Sequence, residues 1–341
     1  MKPLLPNSSP NGWDGPLSKQ LPFELPPRTL RYLAGSLKKQ WKRYRKGLKR
    51  CQQKFSERAV HGSRVETRRL LSILELLAPF LAPGRFAKAQ AFIKNHLDTF
   101  DELRDTQVQL ATVKKMVRSF PGAKALYVYL EKRETRFSRE TRKNVKRIKT
   151  RRLGKLMAAS RQDLKSWCAD SSAMKANALL LRSVHHAFGR TLDLKGRIDP
   201  KNTDTIHRTR VAFKRLRYMI DTLADFLPRV NEKMLDAMHR YQTMMGDIQD
   251  AEVLLRCLER FLEKEEMEPP AGRPLRQELL ARRQFLIQVY LDAADQLLDF
   301  WPEPIPAPRI PKNSLPSSTR KPAAAPRGLR KARRKPRKTS K

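Results

Sequence analysis

The sequence predicts an all-α protein built from two related helical units. Residues 28–301 are rich in Leu, Ala, Arg, Lys, Glu and Gln, which favour helices, and no segment alternates β-branched and polar residues as a strand does. One helical pattern also occurs twice. We therefore expect long antiparallel helices, each of roughly three to eight turns, packed as a bundle.

The chain is strongly basic along its whole length. Its 341 residues include 73 Lys and Arg against 34 Asp and Glu, a formal net charge of +39. Residues 302–341 contain 13 Lys and Arg and one acid, a net of +12, so +27 remains on the rest of the chain. Such a charge attracts polyanions and repels cations. The body of the protein, and not only its C-terminal segment, is therefore expected to hold a polyanion.

Composition divides the chain into three parts. Residues 1–27 are rich in Pro, Ser, Asn and Gly, which predicts a flexible leader. Residues 28–301 form the predicted helical domain, with repeat one over about 28–170 and repeat two over about 171–301. In residues 302–341 the composition shifts to Pro, Ala, Lys, Arg and Ser, which predicts a disordered basic tail.

Breaks between helices are expected where Pro, Gly or short polar runs interrupt the pattern. These places are Ala82–Gly84, Pro121–Gly122, Asp170–Ser172, Gly196–Thr203, Pro228 and Glu268–Pro274.

Membrane, secretory and disulfide signals are missing from the sequence. The most apolar segment, Leu70–Leu81, contains Glu75 and Pro79 and is too short to span a bilayer. The N-terminus is broken by Pro, Asn and Gly before a signal peptide could form. The three cysteines, at positions 51, 168 and 257, form no CxxC pair and predict reduced thiols. We expect a cytoplasmic protein with no membrane association.

An internal repeat pairs residues 60–81, VHGSRVETRRLLSILELLAPFL, with residues 206–227, IHRTRVAFKRLRYMIDTLADFL. A second block follows each copy: residues 103–108 match residues 248–253, with Asp105 opposite Asp250. This self-similarity predicts two copies of one unit, each of about four helices. The two Asp side chains are expected to orient neighbouring basic groups or to cap a helix.

The helix at His207 presents a basic stripe away from its apolar side. At about 100° per residue, Lys214 and Tyr218 share the side of His207. Leu216 and Leu223 lie opposite. A basic stripe is usually the solvated side of an amphipathic helix. This one occurs twice in the same phase, has almost no acids four residues away, and is rich in Arg, whose planar fork matches phosphate oxygens. It therefore favours a polyanion-binding surface.

The paired H-x-x-R-V-x-x-R/K-R/K-L signatures at His61 and His207, each followed by an L/I-x-D-x-x-V block, resemble the CHAD family, the conserved histidine α-helical domain. The resemblance covers about residues 28–300. It implies two four-helix units related by pseudo-twofold symmetry, packed about a basic central channel that binds inorganic polyphosphate. Carried over to this sequence, the basic residues of the family fall on His61, Arg64, Arg68, Arg69, Arg152, His207, Arg210, Lys214, Arg215 and Arg217.

The two signatures differ at two positions. Leu71 and Ser72 of the first copy stand where the second copy has Arg217 and Tyr218. This difference predicts that the first half-site is weaker than the second.

Two further helices are crowded with cations, and about half of these side chains are expected to add to the channel. They are Lys38, Lys39, Lys42, Arg43, Arg45, Lys46, Lys49 and Arg50 on the first helix, and Arg139, Arg142, Lys143, Lys146, Arg147, Lys149, Arg151 and Arg152 around the fourth.

Three functions stay open at this point. The first is non-enzymatic polyphosphate binding with no cofactor or metal, in association with polyphosphate granules. The second is a nucleic-acid-associated protein whose body and tail coat DNA or RNA, although the body has few aromatic residues for stacking. The third is an enzyme in which His61 or His207 accepts a phosphoryl group, although no H-E-x-x-H, Walker-type or G-x-S-x-G motif is present. We favour the first. No oligomeric state is predicted.

Overall fold

The computed structural model describes residues 25–170, 172–264 and 269–301, and within these every regular element is a helix. The all-α prediction is therefore confirmed. In chain order the α-helices are α1 (Thr29–Gln53), α2 (Glu57–Leu76), α3 (Arg85–Asp98), α4 (Asp101–Met116), α5 (Gly122–Arg147), α6 (Arg151–Asp170), α7 (Ala173–Lys195), α8 (Thr203–Leu223), α9 (Glu232–Lys264) and α10 (Pro269–Asp292). Short 3₁₀ turns cover Ala78–Phe80, Ala224–Phe226 and Ala294–Phe300.

Polar side chains cap the helices that carry the repeated signature. At the start of α2, the Ser56 hydroxyl accepts a hydrogen bond from the Ala59 amide at 3.3 Å. At the start of α8, the Asn202 side chain accepts one from the Asp204 amide at 3.2 Å. Each bond satisfies an amide that has no partner inside its helix, which defines where the helix begins.

Most predicted breaks coincide with the linkers between helices. The break predicted over Glu268–Pro274 does so only in part, because α10 begins at Pro269 and contains Pro274. Pro269 and Pro270 stand in the first turn of α10, where the amide that proline lacks would have no intrahelical acceptor, whereas Pro274 lies further inside the helix.

The first repeat contains more helices than the expected four. Asp105 lies in α4 and its counterpart Asp250 in the long α9, so the separate helices α3 and α4 stand where the second repeat has α9 alone. The break between them holds Phe100, whose side chain is buried, so the chain turns to place this ring in the core. The helix α6 is additional and packs against α1 and α3.

The packed body begins earlier than predicted. Most of the predicted leader, residues 1–24, and the predicted tail, residues 302–341, lie outside the described residues. Leu25, which the leader prediction included, is buried, and the Asn177 side chain donates a hydrogen bond to its carbonyl oxygen. This contact attaches the segment before α1 to α7.

Two groups of buried apolar side chains hold the helices together. The larger includes Leu74 of α2 and Leu216 of α8, together with residues of α1, α6 and α7. The smaller joins α4 and α5 to α9 and α10 through residues such as Leu126 and Leu258. Burying one such leucine contributes about 1.5–3 kcal/mol. The apolar sides of α2 and α8 are thus turned inward, as their periodicity predicted.

The three cysteines, Cys51, Cys168 and Cys257, are all unpaired, as predicted. Burial raises the pKa of the Cys51 thiol to about 11, which keeps it protonated and unreactive at neutral pH. None of the described helices combines the length and the apolar character needed to cross a lipid bilayer.

Candidate functional site

The two signature helices, α2 and α8, pack directly against each other. Basic residues of the two stripes lie close together at this contact, because the charges of Arg64 and Arg68 on α2 act on Lys214 of α8. The repeat in the sequence thereby becomes one shared site in the fold.

Lys214 lies at the centre of a cluster of cations contributed by both helices. Burial lowers the pKa of its ammonium group to about 7, and the neighbouring charges of Arg68 and Arg210, followed by Arg64 and Arg217, act in the same direction. Like charges disfavour each other's charged form, so these groups repel one another inside the fold. We call Arg64, Arg68, Arg210, Lys214 and Arg217 the cation cluster.

Arg68, on α2, experiences the repulsion of cations from both helices, namely Arg64 of α2 and Arg210 of α8. Burial lowers the pKa of its guanidinium, and the charge of Arg64 adds to this effect. Tyr218 and Asp101 act against it without cancelling it. The cluster therefore spans both repeats and holds more positive charge than its acidic neighbours neutralise.

Two acidic residues neutralise part of the positive charge of the site. Arg64 is 7% exposed, and its Nη1 lies 2.6 Å from Asp101 Oδ1, which anchors this cation to the start of α4. Arg215 Nε lies 3.0 Å from Oε2 of Glu75, an acid on the other signature helix. These two ion pairs fix the frame of the site, whereas Arg68 and Lys214 form no ion pair within the described residues.

Arg217 and Arg210 are positioned by neutral neighbours. Arg217 Nε donates a hydrogen bond to Gln242 Oε1 at 2.9 Å, and its guanidinium carbon lies 4.7 Å from the centre of the Tyr218 ring. The Arg210 side chain packs on Gly246, where an added Cβ atom would lie 3.6 Å from its guanidinium nitrogens. Both contacts orient a guanidinium without removing its charge.

The two signature histidines occupy different environments. His207 is half-buried, and burial together with the charge of Arg210 lowers its pKa, while a side-chain hydrogen bond with Gln249 and the charge of Asp204 act in the opposite direction. Its Nδ1 atom is buried without a hydrogen-bond partner in the described structure. His61 is exposed. Only the second histidine therefore lies inside the site.

A cavity of about 1220 Å³ opens beside the cation cluster, between the two repeats. Among the predicted site residues it is lined by Arg68, His207, Lys214 and Arg215. Most of the wall comes from α2, α3, α7 and α8, and Asp101 of α4 and the turn at Ala78–Phe80 complete it, so both repeats contribute.

Several basic side chains of the cavity were missed at the sequence level. They are Lys94, Arg182, His186, Arg190 and Arg208. Three of them lie four residues apart on α7, at positions 182, 186 and 190, and share one helical face. This spacing is a signal that a search outside the repeated signature would have found.

Other predicted site residues lie elsewhere. Arg69 is exposed, and its nearest acid is Glu66 of its own helix, 3.9 Å away. Arg152 is exposed at the start of α6. Neither residue lines the cavity. The same is true of His61 and of every cation in residues 38–50 and 139–152 that was expected to reach it.

Asp105 and Asp250 lie near the cluster on α4 and α9. Both residues are partly accessible to solvent, but surrounding protein atoms raise the pKa of each carboxyl group. The charge of Arg210 opposes this rise in both cases. The charge of Asp101 also raises the pKa of Asp105, and the charges of Asp247 and Asp105 raise that of Asp250. Neither carboxylate forms an ion pair with a basic residue in the described structure, so their expected orienting or capping role stays a prediction.

A family model described as the CHAD domain matches residues 31–259, which is about two thirds of the chain. The chain belongs to the CHAD domain family. The resemblance seen in the two signatures is thus confirmed, and the matched range contains both of them, with α2, α8 and the cation cluster of this CHAD protein.

Two solved structures share the fold. The CHAD domain from the plant Ricinus communis superposes with a TM-score of 0.61 at 21% identity, covering 84% of this chain and 97% of that one. PptA from Streptomyces chartreusis superposes with a TM-score of 0.57 at 14% identity, covering 81% of this chain and all of that one. No match was found among the curated proteins.

Proposed function

We propose that this CHAD protein binds inorganic polyphosphate in the cavity between its two repeats, without changing it chemically, and that it associates with cytoplasmic polyphosphate granules. The observation that carries the proposal is the cation cluster, in which the pKa of Lys214 falls to about 7. A fold that forces cations together is destabilised by their repulsion, and a bound polyanion would relieve it.

The shape of the site supports a thin, flexible polyanion. The cavity holds about 1220 Å³, and basic side chains from four helices face it. Polyphosphate offers about one charge per phosphate along a single chain, so successive phosphates can each accept charge-assisted hydrogen bonds from Arg and Lys. A duplex is wider than its own groove of about 12 Å, so a cavity of this volume cannot enclose one.

The test is a titration of long-chain polyphosphate by calorimetry at physiological salt, with duplex DNA or RNA as competitor. The variant carrying Arg68→Gln and Lys214→Gln should lose about 30- to 150-fold in affinity, because each substitution removes a charged donor worth about 1–1.5 kcal/mol net. Excess duplex should leave polyphosphate binding to the wild type in place.

The matched control carries Lys115→Gln and Arg118→Gln, which remove the same two charges from exposed positions outside the cavity. Its affinity should stay within about twofold of the wild type at this salt, because screening weakens distant charges. Equal losses in both variants would show that binding follows net charge, and the cavity would not be the site. Recovery of shortened polyphosphate would contradict binding without chemistry.

A further inference from the structure

A second concentration of cations lies outside the cavity. We call the exposed Lys and Arg side chains of residues 38–54 and 139–155 the outer basic face. These two segments contain 18 Lys and Arg and a single acid, Glu140, a net charge of +17. All 18 side chains are exposed. In the described structure none of them takes part in an ion pair, in contrast to the paired Arg64 and Arg215 of the cavity region.

The two segments form one continuous surface. The Gln52 side chain, near the end of α1, donates hydrogen bonds to the carbonyl oxygens of Val145 and Ile148 at 3.0 and 3.1 Å. A Cβ atom added at Gly154 of α6 would lie 3.5 Å from the ring of Trp41 on α1. The cations of α1 therefore lie beside those of α5 and α6.

This face is separate from the cavity. None of its 18 cations lines the cavity. The opposite side of α1 is buried in the core through side chains such as Leu37, Tyr44 and Leu48, so the helix cannot rotate its cations inward. The outer basic face must therefore have a ligand of its own, or none.

The composition of the face points to a phosphate backbone. A merely solvated helix mixes acids with its cations at four-residue spacing, and these segments do not. Membrane-surface helices present bulky apolar side chains beside their cations, and no large exposed apolar residue lies within the two segments. A polyanion whose charges are already held in a rigid array fits an open surface best, because it pays little conformational entropy on binding.

Double-stranded nucleic acid has this form. The duplex carries about one charge per 1.7 Å of its axis. On α1 the cations from Lys38 to Arg50 extend over about 18 Å, and packed neighbouring helices lie about 8–10 Å apart. Two adjacent rows of cations can thus contact the phosphates that border one groove, which is about 12 Å wide.

We propose that the outer basic face binds the backbone of double-stranded nucleic acid, without reading its sequence, while the cavity stays free for a thinner ligand. The proposal goes beyond the cavity and does not depend on which ligand the cavity takes. The protein could then bind two polyanions at once, with the wider duplex on the outer basic face and the thinner chain in the cavity.

The test uses the full chain and a labelled duplex DNA of arbitrary sequence, with affinity measured by fluorescence anisotropy over a range of salt concentrations. The face variant carries Lys39→Gln, Lys42→Gln, Arg43→Gln and Lys46→Gln. We expect its affinity to fall at least tenfold at low salt. The slope of log affinity against log salt should shrink by up to about 3.6, since each phosphate contact contributes about 0.9.

A second variant tests the other half of the face with Arg142→Gln, Lys143→Gln, Lys146→Gln and Lys149→Gln, and should show a similar loss. The matched control removes three Lys and one Arg from exposed positions elsewhere: Lys115→Gln, Arg118→Gln, Lys124→Gln and Lys132→Gln. All the replaced side chains are exposed and Gln is a good helix former, so folding should be retained, which circular dichroism checks.

Three results would overturn the proposal. The first is a face variant that binds duplex as tightly and with the same salt slope as the control, which would place duplex binding elsewhere in the chain. The second is a face variant that loses polyphosphate and keeps duplex, which would make the face part of the polyphosphate path. The third is displacement of bound duplex by polyphosphate added at one chain per protein, which would indicate one shared site. A ternary complex, with polyphosphate affinity unchanged in both face variants, is the supporting outcome.

Discussion

Arg215 of α8 and Glu75 of α2 form an ion pair across the contact between the two repeats, with Nε and Oε2 3.0 Å apart. The side chain of Glu75 is only 8% exposed and lines the cavity, so Arg215 is the cation that compensates a buried carboxylate. The equivalent residue of the first repeat, Arg69, is exposed on the surface and lies 3.9 Å from Glu66. The same residue type at the same repeat position thus joins the halves in one copy and not in the other.

The first prediction compares these two arginines. Arg215→Ala should lower the free energy of unfolding by about 1–3 kcal/mol, because it leaves Glu75 buried without its cation. Arg69→Ala should change it by less than about 0.5 kcal/mol, since exposed pairs contribute little. Urea denaturation followed by circular dichroism measures both. Similar losses in the two variants would mean that the ion pair does not stabilise the contact.

The second prediction concerns the pH dependence of stability through Glu75. Burial raises the pKa of its carboxyl group, and Arg215 and the hydrogen bond from Gln90 only partly oppose that rise. Above an unfolded pKa of about 4.3, the folded protein therefore holds this proton more tightly than the unfolded chain. Relative to Glu75→Gln, the wild type should lose stability as pH rises from about 4 through the raised pKa. A constant difference between the two proteins across that range would contradict this account.

The third prediction concerns Lys214 and ligand binding. With a pKa of about 7 in the empty cavity, Lys214 is largely neutral above that pH, and a bound polyanion would raise the pKa again. Binding then takes up a proton, so polyphosphate affinity should fall as pH rises above about 7. Lys214→Arg keeps its charge at every pH tested and should flatten this part of the curve. Parallel curves for the two proteins in calorimetry would rule out Lys214 as the titrating group.

His207 should contribute to the pH dependence of polyphosphate affinity at lower pH than Lys214 does. The pKa of His207 is lowered from its ordinary value, so its uptake of a proton on binding should strengthen affinity below about pH 6.5. His207→Gln should remove this gain in affinity at low pH. His61→Gln should not, because His61 is exposed and lies outside the cavity. Equal effects of the two substitutions would mean that the cavity does not distinguish them.

The fourth prediction restores a cation that the first copy lacks. Leu71 lines the cavity at the position that matches Arg217. Leu71→Arg should raise polyphosphate affinity by roughly three- to tenfold, since it adds one charge-assisted donor to an already crowded cluster. Leu71→Met is the control, because it keeps an apolar side chain of similar volume. A loss of affinity in the Arg variant alone would show that repulsion outweighs the new contact.

The fifth prediction removes the C-terminal segment. Trp301 is buried against the larger apolar group, so the chain should be cut directly after this residue, which removes residues 302–341. The shortened protein should unfold at the temperature of the full chain and bind polyphosphate within about threefold, because +27 remains on residues 1–301. A shortened protein that binds nothing, beside an isolated tail that binds fully, would place the function in the tail.

Much of the fold could be predicted from periodicity alone. The spacing of Leu70, Leu74, Leu216 and Leu223 placed these side chains in the core, and all four are buried. Proline, glycine and short polar runs marked most helix ends, because they act on the local backbone geometry. The division of one predicted helix into α3 and α4 was missed, since burial of Phe100 depends on helices that are distant in sequence.

The sequence by itself determined that the chain is helical, strongly basic and internally repeated, because propensity, charge and self-similarity are properties of residues and their order. Only the tertiary structure decided which cations act together. It brings Arg68 and Lys214 into one cluster from helices more than 140 residues apart, and it turns Arg69 and Arg152 outward. Helical phase limits each side chain to one side of its own helix, but the packing of α2 against α8 determines what that side faces.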